Sequence, residues 1–208
     1  MNMKIQTKLT GRASRAFTLI EMIGVLAVIA ILASLLIPKI FEAINNARIN
    51  NTAVSYNTVK TAVMDHYAKF GSLLSSNGTY TMLVTDTGAI NFDRTLLSEG
   101  FLDKPFLVKI GDGTGNHIGI ATALPASTAA DGTNSAYNLD GSGTANDAVG
   151  GVVVEAYIGG VTEADAKDLN DRIDGTTLGS GIGTNDFVGR VKYATGSPTT
   201  VHIYITHR

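Results

Sequence analysis

Phe17 to Pro38 reads FTLIEMIGVLAVIAILASLLIP, and the architecture of the chain follows from this stretch. From Phe17 to Ile37 the only charge is Glu21, and only Thr18 and Ser34 are otherwise polar. About 20 apolar residues in a helix span the hydrocarbon core of a bilayer. A carboxylate near the start of such a run costs about 2–4 kcal/mol in lipid unless it is paired, so Glu21 reads as functional. Gly24 weakens the helix near its start, and Pro38 removes a backbone hydrogen bond and predicts a bend. A cleaved secretory signal ending near Ala33 is the alternative, but its apolar core would be only 7–15 residues long.

Lys4, Lys8, Arg12 and Arg15 precede the run with no acid among them, which leaves 12 of the chain's 16 bases against 18 acids downstream. A basic leader, an apolar span and an acidic body are the layout of a leader held in the cytoplasm and a body outside it. Beyond Pro38 the apolar residues thin to a stripe at spacings of three and four, through Ile40, Ile44, Ala47, Tyr56, Val59, Val63, Tyr67 and Phe70. That periodicity predicts one helical face, and Gly71 is a natural stop. A helix from Phe17 to Phe70 would be about 80 Å long.

The whole chain has 208 residues, 44% hydrophobic, 16% charged, with a net charge of -2. This is a folded, weakly charged protein rather than a disordered or nucleic-acid-binding one. With no cysteine, neither a disulfide framework nor a thiolate metal site is available.

The segment RAFTLIEMIGVLAVIAILASLLIP resembles the amino-terminal segment of type IV pilin-like proteins, a class that includes type IV pilins, competence pseudopilins and the pseudopilins of type II secretion. The resemblance implies that a prepilin peptidase cuts between Ala16 and Phe17, where the family usually has Gly before the cut. It also implies methylation of the new Phe17 amine. Glu21 stands at the fifth mature position, where the family keeps a Glu, and Pro38 at the twenty-second, where many members have Pro. The implied partners are other pilin or pseudopilin subunits, an inner-membrane assembly platform and the lipid bilayer. In that scheme an extraction motor lifts the subunit from the membrane, and Glu21 neutralises a neighbour's amino terminus in the filament. The expected organisation is a leader over 1–16, a transmembrane and assembly helix over 17–38, an amphipathic spine over 39–71 and a β-rich extracytoplasmic body over 72–208. The fold class is α+β, a long amino-terminal helix packed on an antiparallel sheet.

In the body, short β-rich runs alternate with Gly, Asn, Asp and Ser. They predict strands at Thr79 to Val84, Phe106 to Ile110, His117 to Ala121, Val152 to Ile158, Val188 to Ala194 and Thr200 to Thr206. In the last, Val201, Ile203 and Ile205 alternate with His202, Tyr204 and Thr206, so one face should be buried. Short helices are expected at Asp93 to Glu99 and Thr162 to Ile173, the second capped by Thr162 and closed by Asp174 and Gly175. The sheet needs an apolar cover, and the Tyr56 to Phe70 stripe can supply it.

Candidate chemistry in the body is sparse. Asp140, Ser142, Thr144 and Asp147 are hard ligands close together and could hold calcium, as some secretion pseudopilins do in this half of the chain, but the spacing is not that of an EF-hand and equally suits a turn. Asp165, Asp168, Asp171 and Asp174 recur every three residues and read as the solvated face of the second short helix. His66, His117, His202 and His207 are dispersed, with His66 expected on the helix surface. No nucleotide-binding glycine motif, G-x-S-x-G or paired-carboxylate motif occurs, and no basic stripe with interleaved aromatics. These observations favour a structural subunit over an enzyme, with no direct nucleic-acid contact. Two roles stand open, a pseudopilin of type II secretion and a pilin of a surface pilus. The absence of the cysteine loop common in surface pilins favours the first. A bitopic membrane protein with an external ligand-binding domain is the alternative from another class.

Overall fold

A computed structural model describes residues 17–73, 92–113 and 115–208. Helix α1 runs from Leu19 to Phe70 through Pro38 without a break in its helical assignment, and Gly71 ends it at φ +66°, donating to the Tyr67 carbonyl at 2.8 Å. The left-handed backbone at Gly71 is one that only glycine adopts at little cost. After it come α2 (Phe92–Ser98), β1 (His117–Thr122), β2 (Val152–Val161), α3 (Glu163–Ile173), β3 (Val191–Tyr193) and β4 (Thr199–His207). The four strands form one antiparallel sheet in the order β1-β2-β4-β3, so the expected α+β class is the one observed.

The chain divides into two compact units, Met1–Ile44 and Asn45–Arg208. In the first, every described side chain except Ala33 is exposed. In the second, α1 buries Ile49, Thr52, Tyr56, Val59, Ala62, Val63 and His66, a run at spacings of three and four. Their apolar members share one core with Val154, Ala156, Ile158, Val201, Ile203 and Ile205 from the sheet and Leu169 from α3. The sheet therefore packs on the α1 stripe as its composition requires, although the stripe passes through Ile49 and Thr52 and leaves Ala47 in solvent. Arg172 on α3 donates to Asn46 and Asn50, and Arg48 donates through Nε to the Lys109 carbonyl at 2.8 Å, so hydrogen bonds flank this packing.

Several expectations shift. Phe106 to Ile110 is not assigned as a strand: Phe106, Val108 and Ile110 are buried and Leu107 and Lys109 exposed, so the alternation is there, but no ladder partner pairs with it among the described residues. β3 is confined to Val191–Tyr193, and just before it Arg190 donates its backbone N–H to Asp174 rather than to a strand. β2 runs on to Val161 through a register shift after Ile158, where Gly160 has φ +66° and a Cβ would lie 2.3 Å from the Asp112 carboxyl carbon. The second face of β4 is buried as well, because Tyr137, Ala148 and Val153 form a smaller core beyond it. His66 is fully buried rather than on the surface, its ring centroid 4.9–5.5 Å from those of Phe70, Phe92 and Phe101. The strand expected at Thr79 to Val84 lies outside the described residues.

Candidate functional site

The start of α1 is built by two residues that cap each other. Thr18 precedes the helix; its Oγ1 accepts the Glu21 backbone N–H at 3.3 Å, while Glu21 Oε2 accepts the Thr18 backbone N–H and hydroxyl, each at 2.8 Å. This is a capping box, in which a Thr and a Glu three residues later satisfy two helix-end donors reciprocally. The T-x-x-E spacing was present in the sequence and is the signal that reading for membrane insertion passes over. It places the Glu21 carboxylate at the amino end of the helix, where the macrodipole favours a negative charge.

Phe17 stands next to this cap and is 78% exposed. Ala16, on the other side of the expected cut, lies outside the described residues. The Glu21 carboxylate is thus held within one residue of the backbone atom that a cut before Phe17 would turn into an amine. Among the described residues Gly24 meets no atom from outside its own stretch of helix within 4 Å of where a Cβ would sit. Ser34 returns its hydroxyl to the Ile31 carbonyl at 2.7 Å, hiding the last polar side chain of the run from an apolar surrounding. The segment is long and apolar enough to cross a membrane and is not buried by the rest of its own chain.

A scan for known families matches residues 11–37 to the prokaryotic N-terminal methylation motif. This segment carries the type IV pilin and pseudopilin signature. No curated protein is matched by the chain. The motif implies processing by prepilin peptidase and assembly with other pilin subunits, and it indicates a structural subunit. One amino-terminal apolar helix together with this motif fits a single-pass inner-membrane protein.

The body beyond this segment uses its remaining polar candidates for architecture. Asp140 accepts from the backbone and hydroxyl of Ser142 at 2.7 and 2.8 Å, and Asp147 Oδ2 accepts from Leu139 N–H at 2.6 Å and Asp140 N–H at 3.2 Å. Those oxygens already close turns. Among the described residues no three His, Cys, Asp or Glu side chains converge as a metal would require. Of the four aspartates on and after α3, Asp168 is exposed, but the Asp174 side chain is buried and binds Arg190 Nε at 2.8 Å besides two backbone N–H groups. It clamps the end of α3 to β3 and does not belong to a solvated face.

A buried polar cluster escaped the sequence reading. Glu155 accepts from Tyr137 Oη at 2.5 Å and Tyr157 Oη at 2.6 Å, with His202 Nδ1 at 3.3 Å. Burial raises its carboxyl pKa, but His202 and the other donors more than offset this and hold it below the ordinary value. Lys192 is also buried, with Nζ 4.3 Å from the Tyr137 ring centroid and 3.1 Å from the Ala136 carbonyl; burial lowers its pKa to about 8. A carboxylate whose two oxygens are both taken by phenols is an acceptor that orders the second sheet face. These residues come from four separate segments, with Glu155 and Tyr157 alone sharing a strand, and carry no local spacing signal, so the fold brings them together.

Proposed function

We propose that the chain is a structural subunit of a type IV pilin-like filament, specifically a pseudopilin of a type II secretion system. Prepilin peptidase cuts between Ala16 and Phe17, the Phe17 amine is methylated, and the subunit waits in the inner membrane with its body outside the cytoplasm. On assembly the apolar helix leaves lipid for the filament core, so hydrophobic burial among neighbours replaces lipid contact. Glu21 then offsets the amino-terminal cation of an adjacent subunit, and an error of one turn would strand a charge in an apolar core. Gly24 and Pro38 supply the bend. The subunit catalyses nothing, carries no resident cofactor and contacts no nucleic acid.

One observation carries this reading: Phe17, Glu21 and Pro38 stand in a single register around a segment matched as a methylation motif, on a helix its own chain leaves exposed. The absence of cysteine supports the pseudopilin branch over the surface pilin. The first test is the intact mass and amino-terminal sequence of the protein recovered from host membranes. A chain starting at methylated Phe17 is expected, whereas an uncut chain or a start near Ser34 refutes the processing scheme. Deleting the gene then separates the branches. Stalled export with surface pili intact supports a pseudopilin, and lost pili with export intact makes the protein a surface pilin.

A further inference from the structure

An open cavity of about 370 Å³ lies beside α1 in the second unit, between Ser55, Thr58 and Val59 on the helix and the 102–107 segment. Leu102, Phe106 and Leu107 form its apolar wall, and Leu107 is 63% exposed. The small side chains Ser55 and Thr58 form the opposite wall and allow a close approach by another backbone. Asp103 and Lys104, both exposed, complete the lining with one charge of each sign.

The same chain displays an unpartnered segment with the matching chemistry. Ile40, Phe41 and Ile44 follow Pro38 on α1 and are all exposed, Phe41 at 67%. They lie past the apolar span, beyond the length that the bilayer core needs to cover. Lys39 and Glu42, 2.9 Å apart and both exposed, flank Phe41 with one charge of each sign. Apolar side chains framed by an acid and a base thus occur twice, once as a projection and once as a groove.

We infer that the groove of one copy seats the Ile40–Ile44 segment of the next, with Phe41 against Leu107, Glu42 beside Lys104 and Lys39 beside Asp103. Phe41 and Ser55 belong to one helix, so the segment that fills a groove has to come from another copy. The contact joins two different surfaces and is therefore heterologous, the kind that extends into an open filament rather than closing into a symmetric dimer. Exposed ion pairs add little affinity but set register, so the apolar contact holds the copies together and the two charge pairs align them. This inference rests on the filament reading above and adds which surfaces meet.

The chain has no cysteine, which makes the test direct. Full-length chains carrying both Phe41→Cys and Leu107→Cys are assembled in membranes and oxidised, beside each single substitution and a control pair of Phe41→Cys with Val149→Cys. A ladder of disulfide-linked multimers from the first pair alone is expected, since a single substitution can give no more than dimers. Lys104→Glu on the double-cysteine chain should weaken the ladder up to about fivefold, and adding Glu42→Lys should restore it. Assembled chains that give no ladder, or give an equal one with the Val149 pair, overturn the contact and leave the filament reading standing. Wild-type chains that are processed yet do not assemble overturn the filament reading and this contact with it.

Discussion

Between Leu19 and Ile44 helix α1 exposes every side chain except Ala33, whereas between Ile49 and His66 the same helix buries seven, all on one face. As far as Ile37 the first stretch is apolar all round apart from Glu21 at its start, and the second carries its apolar residues as a stripe. A helix apolar all round is stable only where something outside its own fold surrounds it, while a striped helix needs a single packed face. One continuous element therefore belongs to two systems. The body stabilises its own part of α1, and a membrane or other subunits must stabilise the rest. Substitutions in the two stretches should accordingly fail in different assays, and that expectation can be broken.

The largest effect should come from Glu21→Ala. In the filament proposed above Glu21 is one partner of a buried charge pair, and removing such a partner costs about 3–5 kcal/mol, enough to reduce assembly at least a hundredfold. The precursor should still insert, and the thermal unfolding of the body should not change, because among the described residues the Glu21 side chain bonds to Thr18 and to nothing in the body. Filament yield and calorimetry on the same preparation check both halves. Normal filaments would end the charge-pairing account.

Ile49→Ala should do the reverse. Ile49 is fully buried in the body's core, and cutting an isoleucine to alanine there costs about 2–5 kcal/mol through lost burial and the cavity left behind. Ile29→Ala, on the exposed stretch, should leave the body's denaturation midpoint where it is. Equal losses from the two substitutions would mean that the two stretches are not energetically separate.

How much of this comparison the residues themselves disclosed differs between the units. Residue patterns marked α1, its stop at Gly71, both short helices and all four strands, with β3 drawn too long, because in each the pattern and the local signals agree; Thr162, for one, accepts from Asp165 N–H at the start of α3 as its spacing suggests. The residues proposed above for processing and assembly lie in one segment, which is why a resemblance alone could single them out. What was hidden depended on distant partners. Phe106 to Ile110 alternates in burial like a strand, yet no neighbour pairs with it among the described residues. Asp174 kept the spacing of an exposed helical face, yet Arg190 and Val191 pull it inward from sixteen and seventeen residues away. His66 became a core residue only through Phe92 and Phe101.

That histidine supplies a subtler way to separate the units. Burial holds its pKa below the ordinary value, against the pull of the Glu99 carboxylate 2.9 Å away. As the pH drops through about 6.5 the unfolded chain takes up a proton that the folded body resists. The unfolded state then binds more protons, so stability declines with falling pH and recovers as pH rises. Unfolding of the body measured between about pH 7.5 and 5.5 should show this slope, and His66→Leu should flatten it. A slope that survives the substitution assigns the pH dependence to another group.

The smallest effect tests the joint between the processing site and the helix it releases. Thr18→Ala removes the hydroxyl that caps Glu21 N–H, a loss of about 0.5–2 kcal/mol confined to the first turn. The Thr18 backbone N–H can still reach Glu21, so the carboxylate is loosened rather than released. Filaments should form more slowly or in lower yield than wild type, well short of the loss in Glu21→Ala, and Thr18→Ser should restore them because it keeps the oxygen. Amide exchange on the full chain in lipid should quicken at Leu19 to Glu21 and nowhere in the body. If Thr18→Ala instead matches Glu21→Ala, the hydroxyl has a contact of its own in the assembled state. If assembly and exchange are both unchanged, the carboxylate does not need the cap to find its partner. The cap is then a property of the isolated chain alone, given up when a neighbour's amine arrives.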